Sequence, residues 1–239
     1  MQAVIIAGGL GTRLGPLTET VPKAMVPVNG RPFLEYEVSL LKSEGVADIV
    51  VCLGHLGGSI REHFGDGKGF GVAMKYSEDG PKLLGPAGAL KRAEPLLEDA
   101  FFVTYGDAYL RAPYAEMSKR LHSSGRSALM GAYRNEGRYG RSDLAVDGGS
   151  VVAFDKSGRR RLHWINYGVT AMRKRALATI PKGRAVGEEE FYGDLIRQSE
   201  LLAFPVRLRP YEIGNPGSLA EFSRFIARKG AARPAGRTG

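Results

Sequence analysis

A regular alternation of short apolar runs with amphipathic helical stretches, starting at the second residue, restricts the fold of this chain more than any other feature. Residues 2–7 read as a strand, 32–44 as a helix, 48–53 as a strand and 58–64 as a helix. That is the pattern of a parallel α/β sheet. In the first helix Leu34, Val38 and Leu41 repeat at i, i+4 and i+7, Pro32 stands where a first-turn proline belongs, and Gly45 closes the end. The alternation continues with a strand over 71–77, a helix over 87–97 and a strand over 100–105, whose end carries Gly106-Asp107. Ligands of such sheets bind beyond the carboxyl ends of the strands. After a strand at 128–133, segments at 144–146, 151–154 and 164–172 read as a more antiparallel region. It is expected to lie over one side of the sheet and to suit a second substrate. Helices near 188–199 and 215–228 complete a single domain without internal repeats.

The turn after the first strand, Ile6-Ala7-Gly8-Gly9-Leu10-Gly11-Thr12-Arg13-Leu14, carries the chemistry. Three glycines let the backbone take positive φ and approach a ligand closely, so that successive N–H groups converge on phosphate oxygens. Arg13 at its far end and Lys23 shortly after add the charges that suit a nucleoside triphosphate. The turn is neither a GxxxxGK[ST] loop nor a GxGxxG fingerprint, so a different phosphate site is indicated.

The formal net charge is +9, from 34 Lys and Arg against 25 Asp and Glu, which fits either a nucleic acid or an anionic small substrate. Its distribution decides. Arg228, Lys229, Arg233 and Arg237 read as a loose tail, Lys156 and Arg159 to Arg161 share one loop, and no nucleic-acid-binding motif is present. Apolar runs are too short for a membrane span and no leader precedes the first strand, so a soluble, cytoplasmic protein without a membrane partner is expected. Cys52 is the only cysteine and lies in an apolar run, which predicts burial. His55, His63, His122 and His163 lack metal-ligand spacing, and no Ser-His-Asp or Cys-His set can be assembled.

The run Gly8 to Leu14, with Pro16-Leu17-Thr18, Pro22-Lys23, Met25, Pro27-Val28, Gly30 and Pro32, resembles the leading signature GGxGTRLxPLTxxxPKxMxPVxGxP of the sugar-1-phosphate nucleotidyltransferases. The resemblance implies a Rossmann-like three-layer αβα fold with a mixed, mostly parallel sheet and a smaller antiparallel sugar-binding region. It implies a single domain over 1–228, with a nucleotide part (1–127) and a sugar-phosphate part (128–214), and a flexible basic tail at 229–239. The implied reaction joins a nucleoside triphosphate and a sugar 1-phosphate into a nucleotide sugar, releasing pyrophosphate by direct attack on the α-phosphorus.

By the same resemblance Ala7, Gly8, Gly9, Gly11, Thr12 and Arg13 bind the nucleotide. Arg13 is suited to clamp the departing pyrophosphate and Lys23 to meet the α-phosphate and the incoming sugar phosphate. Asp107 stands where the family's Gly-Asp binds Mg²⁺. Glu212, in Glu212-Ile213-Gly214-Asn215-Pro216, replaces the aspartate of an Asp-Ile-Gly-Thr-Pro segment as the second metal ligand. Leu84-Gly85-Pro86-Ala87-Gly88-Ala89-Leu90 is close to LGTAGAL, which places Gly85 and Gly88 against base and ribose. Either Glu78 or Asp79 reaches the base edge, where a carboxylate suits the adjacent donors of guanine and favours GTP. Phe154-Asp155-Lys156 and Asn166-Tyr167-Gly168 stand for the sugar side, with Lys156 on the sugar phosphate. The chain is most similar to short bacterial enzymes that activate heptose or mannose 1-phosphate with GTP, or N-acetylmuramic acid 1-phosphate with UTP. A monomer or small homo-oligomer is expected. The alternative of another class, a catalytically silent regulatory homologue, is expected to lose Lys23, Arg13 or Asp107; this chain keeps all three.

Overall fold

A computed structural model describes residues 1–231. The alternation predicted from sequence is realised as β1 (Gln2–Ala7), the two-residue strands β2 (Pro27–Val28) and β3 (Arg31–Pro32), α1 (Phe33–Ser43), β4 (Asp48–Leu53), α2 (Gly57–Phe64) and β5 (Ala73–Glu78). These are followed by α3 (Gly85–Ala93), β6 (Ala100–Tyr105), β7 (Ala108–Tyr109), α4 (Tyr114–Ser124) and β8 (Ala128–Arg134). The second half contains β9 (Leu144–Asp147), β10 (Ser150–Phe154), β11 (Trp164–Arg173), α5 (Glu188–Arg197), β12 (Leu201–Pro205), β13 (Tyr211–Glu212) and α6 (Pro216–Ala231).

Nine strands form one sheet in the order β5-β4-β1-β6-β11-β8-β12-β10-β9. The first four are parallel neighbours, and β11 runs antiparallel between β6 and β8. Side chains alternate between the two faces. Ala3 and Ile5 of β1 pack with Leu34, Val38 and Leu41 of α1, Ile60 of α2 and Met117 and Leu121 of α4, whereas Val4 packs with Leu90 of α3 and Leu195 of α5. The result is the expected three-layer α/β arrangement. α6 covers a smaller cluster in which Phe222 meets Phe33, Tyr36, Tyr109 and Phe225.

Five readings of the sequence change. The antiparallel region is not laid over the sheet; it prolongs the sheet edgewise, because β11 pairs directly with β6. Helix α4 was not predicted, since its apolar stripe is only Tyr114, Met117 and Leu121 among polar residues. Strand β12 also escaped, because Pro205 argues against a central strand; it is tolerated where β12 bonds β10 through a single residue pair. Pro32 precedes α1 rather than occupying its first turn. At the other end, Arg228 and Lys229 belong to α6 instead of a tail, and Lys229 lies 3.1 Å from the Tyr109 hydroxyl. Arg233 and Arg237 lie outside the described residues.

Candidate active site

Two clefts open beyond the carboxyl ends of β1, β5 and β6. The smaller, about 430 Å³, is lined by Ala7, Gly8, Gly9, Gly11, Thr12, Lys23, Asp79, Gly85 and Pro86. The larger, about 700 Å³, is lined by Lys156, Asn166, Tyr167, Gly168, Glu212 and the neighbouring Asp143 and Glu188. Arg13, Tyr105 and Asp107 line both.

The loop from Gly8 to Thr18 is held by its own residues. Gly11 has φ 67°, and a Cβ there would fall 2.9 Å from the Thr18 methyl. The Thr18 hydroxyl donates to the Gly11 and Gly15 carbonyls at 3.0 and 3.2 Å, while buried Leu14 anchors the turn in the α6 cluster. Arg13 is left exposed at the boundary of the two clefts.

Asp107 follows β6, where the Gly106 N–H donates to the Ile6 carbonyl and the Ile213 N–H donates to the Asp107 carbonyl, both at 2.9 Å. That second bond, together with the pairing of Glu212 with Ala108, pins β13 beside β7 and brings Glu212 next to Asp107. Lys23 forms an ion pair with Asp107. Among the described residues no group of three or more His, Cys, Asp or Glu could hold a metal. Asp107, in the turn before β7, and Glu212, on the strand paired with β7, nevertheless fit an ion such as Mg²⁺, which takes one or two carboxylates and fills its remaining positions with water and phosphate.

At the smaller cleft the structure separates the two candidates at the end of β5. Asp79 faces the cleft, is buried, and accepts the Leu84 N–H at 2.9 Å; its burial raises the carboxyl above its ordinary value. Glu78 is turned outward and paired with Arg61, so it is placed outside the cleft. Gly88 is outside as well. Its role is packing: a Cβ would meet the Arg184 carbonyl at 2.7 Å, and the Ala87 and Gly88 N–H groups donate to the Val186 carbonyl. Because Val186 leads directly into Glu188, this contact ties the wall of one cleft to the other. Gly88→Ala is expected to destabilise the fold by about 1–3 kcal/mol through overpacking, read as a lower thermal midpoint.

On the far side Lys156 forms an ion pair with Glu188, and the Asn166 N–H donates to Asp143 Oδ1 at 2.7 Å beside the irregularity in β11. Burial holds the Asp143 carboxyl up to about 6, against the opposing effects of the Asn166 N–H and Lys156. Arg209 is fixed by a two-pronged bond to Glu221, both contacts 2.5 Å, and stacks 4.2 Å from the Tyr139 ring centroid. The sequence did not single out Tyr105, Asp143, Glu188 or Arg209. Tyr105 alone carried a signal, as the last residue of a strand that ends at the ligand side.

The structure thus brings Ala7, Gly8, Gly9, Gly11, Thr12, Arg13, Lys23, Gly85, Asp107, Lys156, Asn166, Tyr167, Gly168 and Glu212 to the two clefts and leaves Glu78 and Gly88 out. As predicted, Cys52 is buried. No helix among the described residues is long and apolar enough to cross a membrane.

Comparison with known proteins gives concordant results. A family model described as nucleotidyl transferase matches residues 2–155. A UTP–glucose-1-phosphate uridylyltransferase of Synechocystis is 40% identical over 121 residues, 46% of this chain and 31% of that protein. The chain therefore spans about a third of the length of that relative. A D-glycero-α-D-manno-heptose 1-phosphate guanylyltransferase of Campylobacter jejuni is 30% identical over 174 residues, 73% of this chain and 76% of that protein. The crystal structure of HddC from Yersinia pseudotuberculosis complexed with GMP-PN superposes with a TM-score of 0.79 at 25% identity, covering 94% of this chain and 99% of that one.

Proposed function

Because the chain belongs to the nucleotidyl transferase family, we propose that it joins a nucleoside triphosphate to a sugar 1-phosphate and releases pyrophosphate. The observation that carries this reading is the pair of clefts meeting at Arg13, Tyr105 and Asp107. A transfer between two anions needs two adjoining sites with positive charge at their junction, and the junction holds Arg13 and Lys23.

In this reading the triphosphate lies along Gly8 to Arg13, and Gly85 and Pro86 take the ribose and base. Lys23, presently on Asp107, meets the α-phosphate and the entering sugar phosphate. Arg13 receives charge on the departing pyrophosphate. Asp107 and Glu212 would hold Mg²⁺, which when bound offsets phosphate charge. Lys156 positions the sugar phosphate, and Asn166, Tyr167 and Gly168 line the sugar. No side-chain nucleophile is needed when the sugar phosphate oxygen attacks directly.

For the finer choice we propose GTP with a heptose or mannose 1-phosphate. Asp79 supports the base: it is a buried carboxylate in the nucleotide cleft, an acceptor matched to the N1–H and N2–H₂ donors of guanine. The activity named for the Campylobacter relative and the nucleotide in the Yersinia structure agree with it. Pyrophosphate release over a matrix of four NTPs and a panel of sugar 1-phosphates tests both levels. The expected result is a single strong column at GTP; a strong column at another base overturns the base, and silence across the matrix overturns the reaction.

A further inference from the structure

Five carboxylates line the larger cleft: Asp107, Asp143, Glu188, Glu212 and Glu221. Three are engaged by cations, Asp107 by Lys23, Glu188 by Lys156 and Glu221 by Arg209. Glu212 lies at the junction end, where the space at Gly214 is flanked by Glu212 Oε1 and Arg13 Nη2 at 3.0 and 3.2 Å from a hypothetical Cβ. Asp143 is different. It forms no ion pair among the described residues, and its one side-chain hydrogen bond accepts the Asn166 N–H through Oδ1. Oδ2 has no hydrogen-bond partner among the described residues and is not fully buried, and the residue lines the cleft. Asp155, the carboxylate next to Lys156 in sequence, cannot substitute for it: it is turned into its own loop, accepting the Ser157 N–H at 2.8 Å.

We propose that Asp143, with Glu188 beside it, reads the hydroxyl groups of the sugar ring, accepting the hydrogen bonds that decide which sugar 1-phosphate is taken. This rests on the nucleotidyl-transfer reading and names the specificity residue within it. The geometry suits the task. Asp143 is fixed by the backbone of Asn166, the residue that opens the sugar-side irregularity of β11, and Glu188 is oriented by the same Lys156 assigned to the sugar phosphate. A ring held at its phosphate by Lys156 therefore presents its hydroxyls to two acceptors, and a charge-assisted hydrogen bond to one of them is worth roughly ten- to a hundredfold in binding.

The cost of keeping Asp143 supports a role in binding. The charged groups facing it are Lys156 from the loop after β10 and Glu188 from α5, and burial outweighs the pull of Lys156. Its folded-state value is raised, so its contribution to stability is complete below the unfolded value, near pH 4, and is lost as pH rises through about 6. A residue that weakens the fold at neutral pH is better explained by a ligand than by packing.

The test starts from the sugar 1-phosphate accepted by the wild type and its singly deoxygenated analogues, compared in wild type and Asp143→Asn. Asparagine keeps an oxygen for the Asn166 N–H, so the loop is preserved. The wild type should lose about ten- to a hundredfold in kcat/KM when one particular hydroxyl is removed, mostly in the KM for the sugar. Asp143→Asn should start with that loss and show less than about a threefold further change, with the KM for the nucleotide unmoved. In thermal unfolding its midpoint should rise relative to wild type from about pH 4 to about pH 8. A variant that discriminates between the sugar and its analogues as sharply as the wild type overturns the proposal while leaving the functional reading intact. A variant with a lower midpoint throughout and unchanged discrimination would make Asp143 structural. Failure of every sugar 1-phosphate to yield pyrophosphate overturns both.

Discussion

Asp107→Ala is expected to abolish Mg²⁺-dependent pyrophosphate release, to background or at least a thousandfold below wild type. Asp107 is the one carboxylate among the described residues that lines both clefts, on a backbone pinned from both sides by the Gly106 and Ile213 N–H groups. Glu212 stands on the neighbouring strand and would remain alone as a ligand, while Lys23 would lose its counter-charge. The fold should survive, since Asp107 is half-exposed and its removal opens no apolar cavity; a thermal midpoint near that of wild type is the control. Titrating Mg²⁺ separates the causes. If activity returns at high Mg²⁺, Asp107 only tightens the ion, whereas full activity at ordinary Mg²⁺ removes it from the metal site.

How much of this was legible in the sequence depends on whether the signal was local. The strands and the helices flanking the first cleft could be read because each is a contiguous apolar run or a stripe at helical spacing. The leading signature was legible too, although much of it proves to be architecture rather than chemistry. Thr18 ties the loop to itself, and Leu14, Val26 and Val28 fill the cluster beneath α6. Glu78 and Asp79 show the limit of local reading: neighbours at the end of a strand face opposite ways, so a one-residue uncertainty exchanges a cleft carboxylate for a solvent ion pair. Gly88 shows another. A small residue signals close approach, but only the fold reveals that the approaching group is the Arg184 carbonyl.

Asp143 and Glu188 were illegible for a topological reason. They are brought to one cleft by β9, β11 and α5, and that depends on β11 entering the sheet between β6 and β8 in antiparallel sense. Nothing in the sequence around Asp143 announces this pairing. The residues proposed to read the sugar therefore lie where sequence patterns are weakest, and those proposed to handle phosphate lie where they are strongest.

Lys23→Ala should lower kcat by about three orders of magnitude or more, with a smaller change in the KM for the nucleotide. The side chain is only 13% exposed and is aimed at the junction, where its ammonium meets Asp107. In a low-dielectric site a fixed cation gains most when charge grows on the atom it faces, so its effect belongs to the transition state more than to the ground state. The contact with Asp107 sharpens the test. If Lys23 and Asp107 act on one phosphate as a unit, Lys23→Ala combined with Asp107→Ala should be little worse than the poorer single variant; if they act independently, the losses should multiply. Lys23→Arg restores the charge but brings a planar fork in place of a compact ammonium, and only partial recovery is expected. A fall of less than tenfold in Lys23→Ala would mean that this charge is not used at the α-phosphate, and the role would pass to Arg13, the cation that lines both clefts.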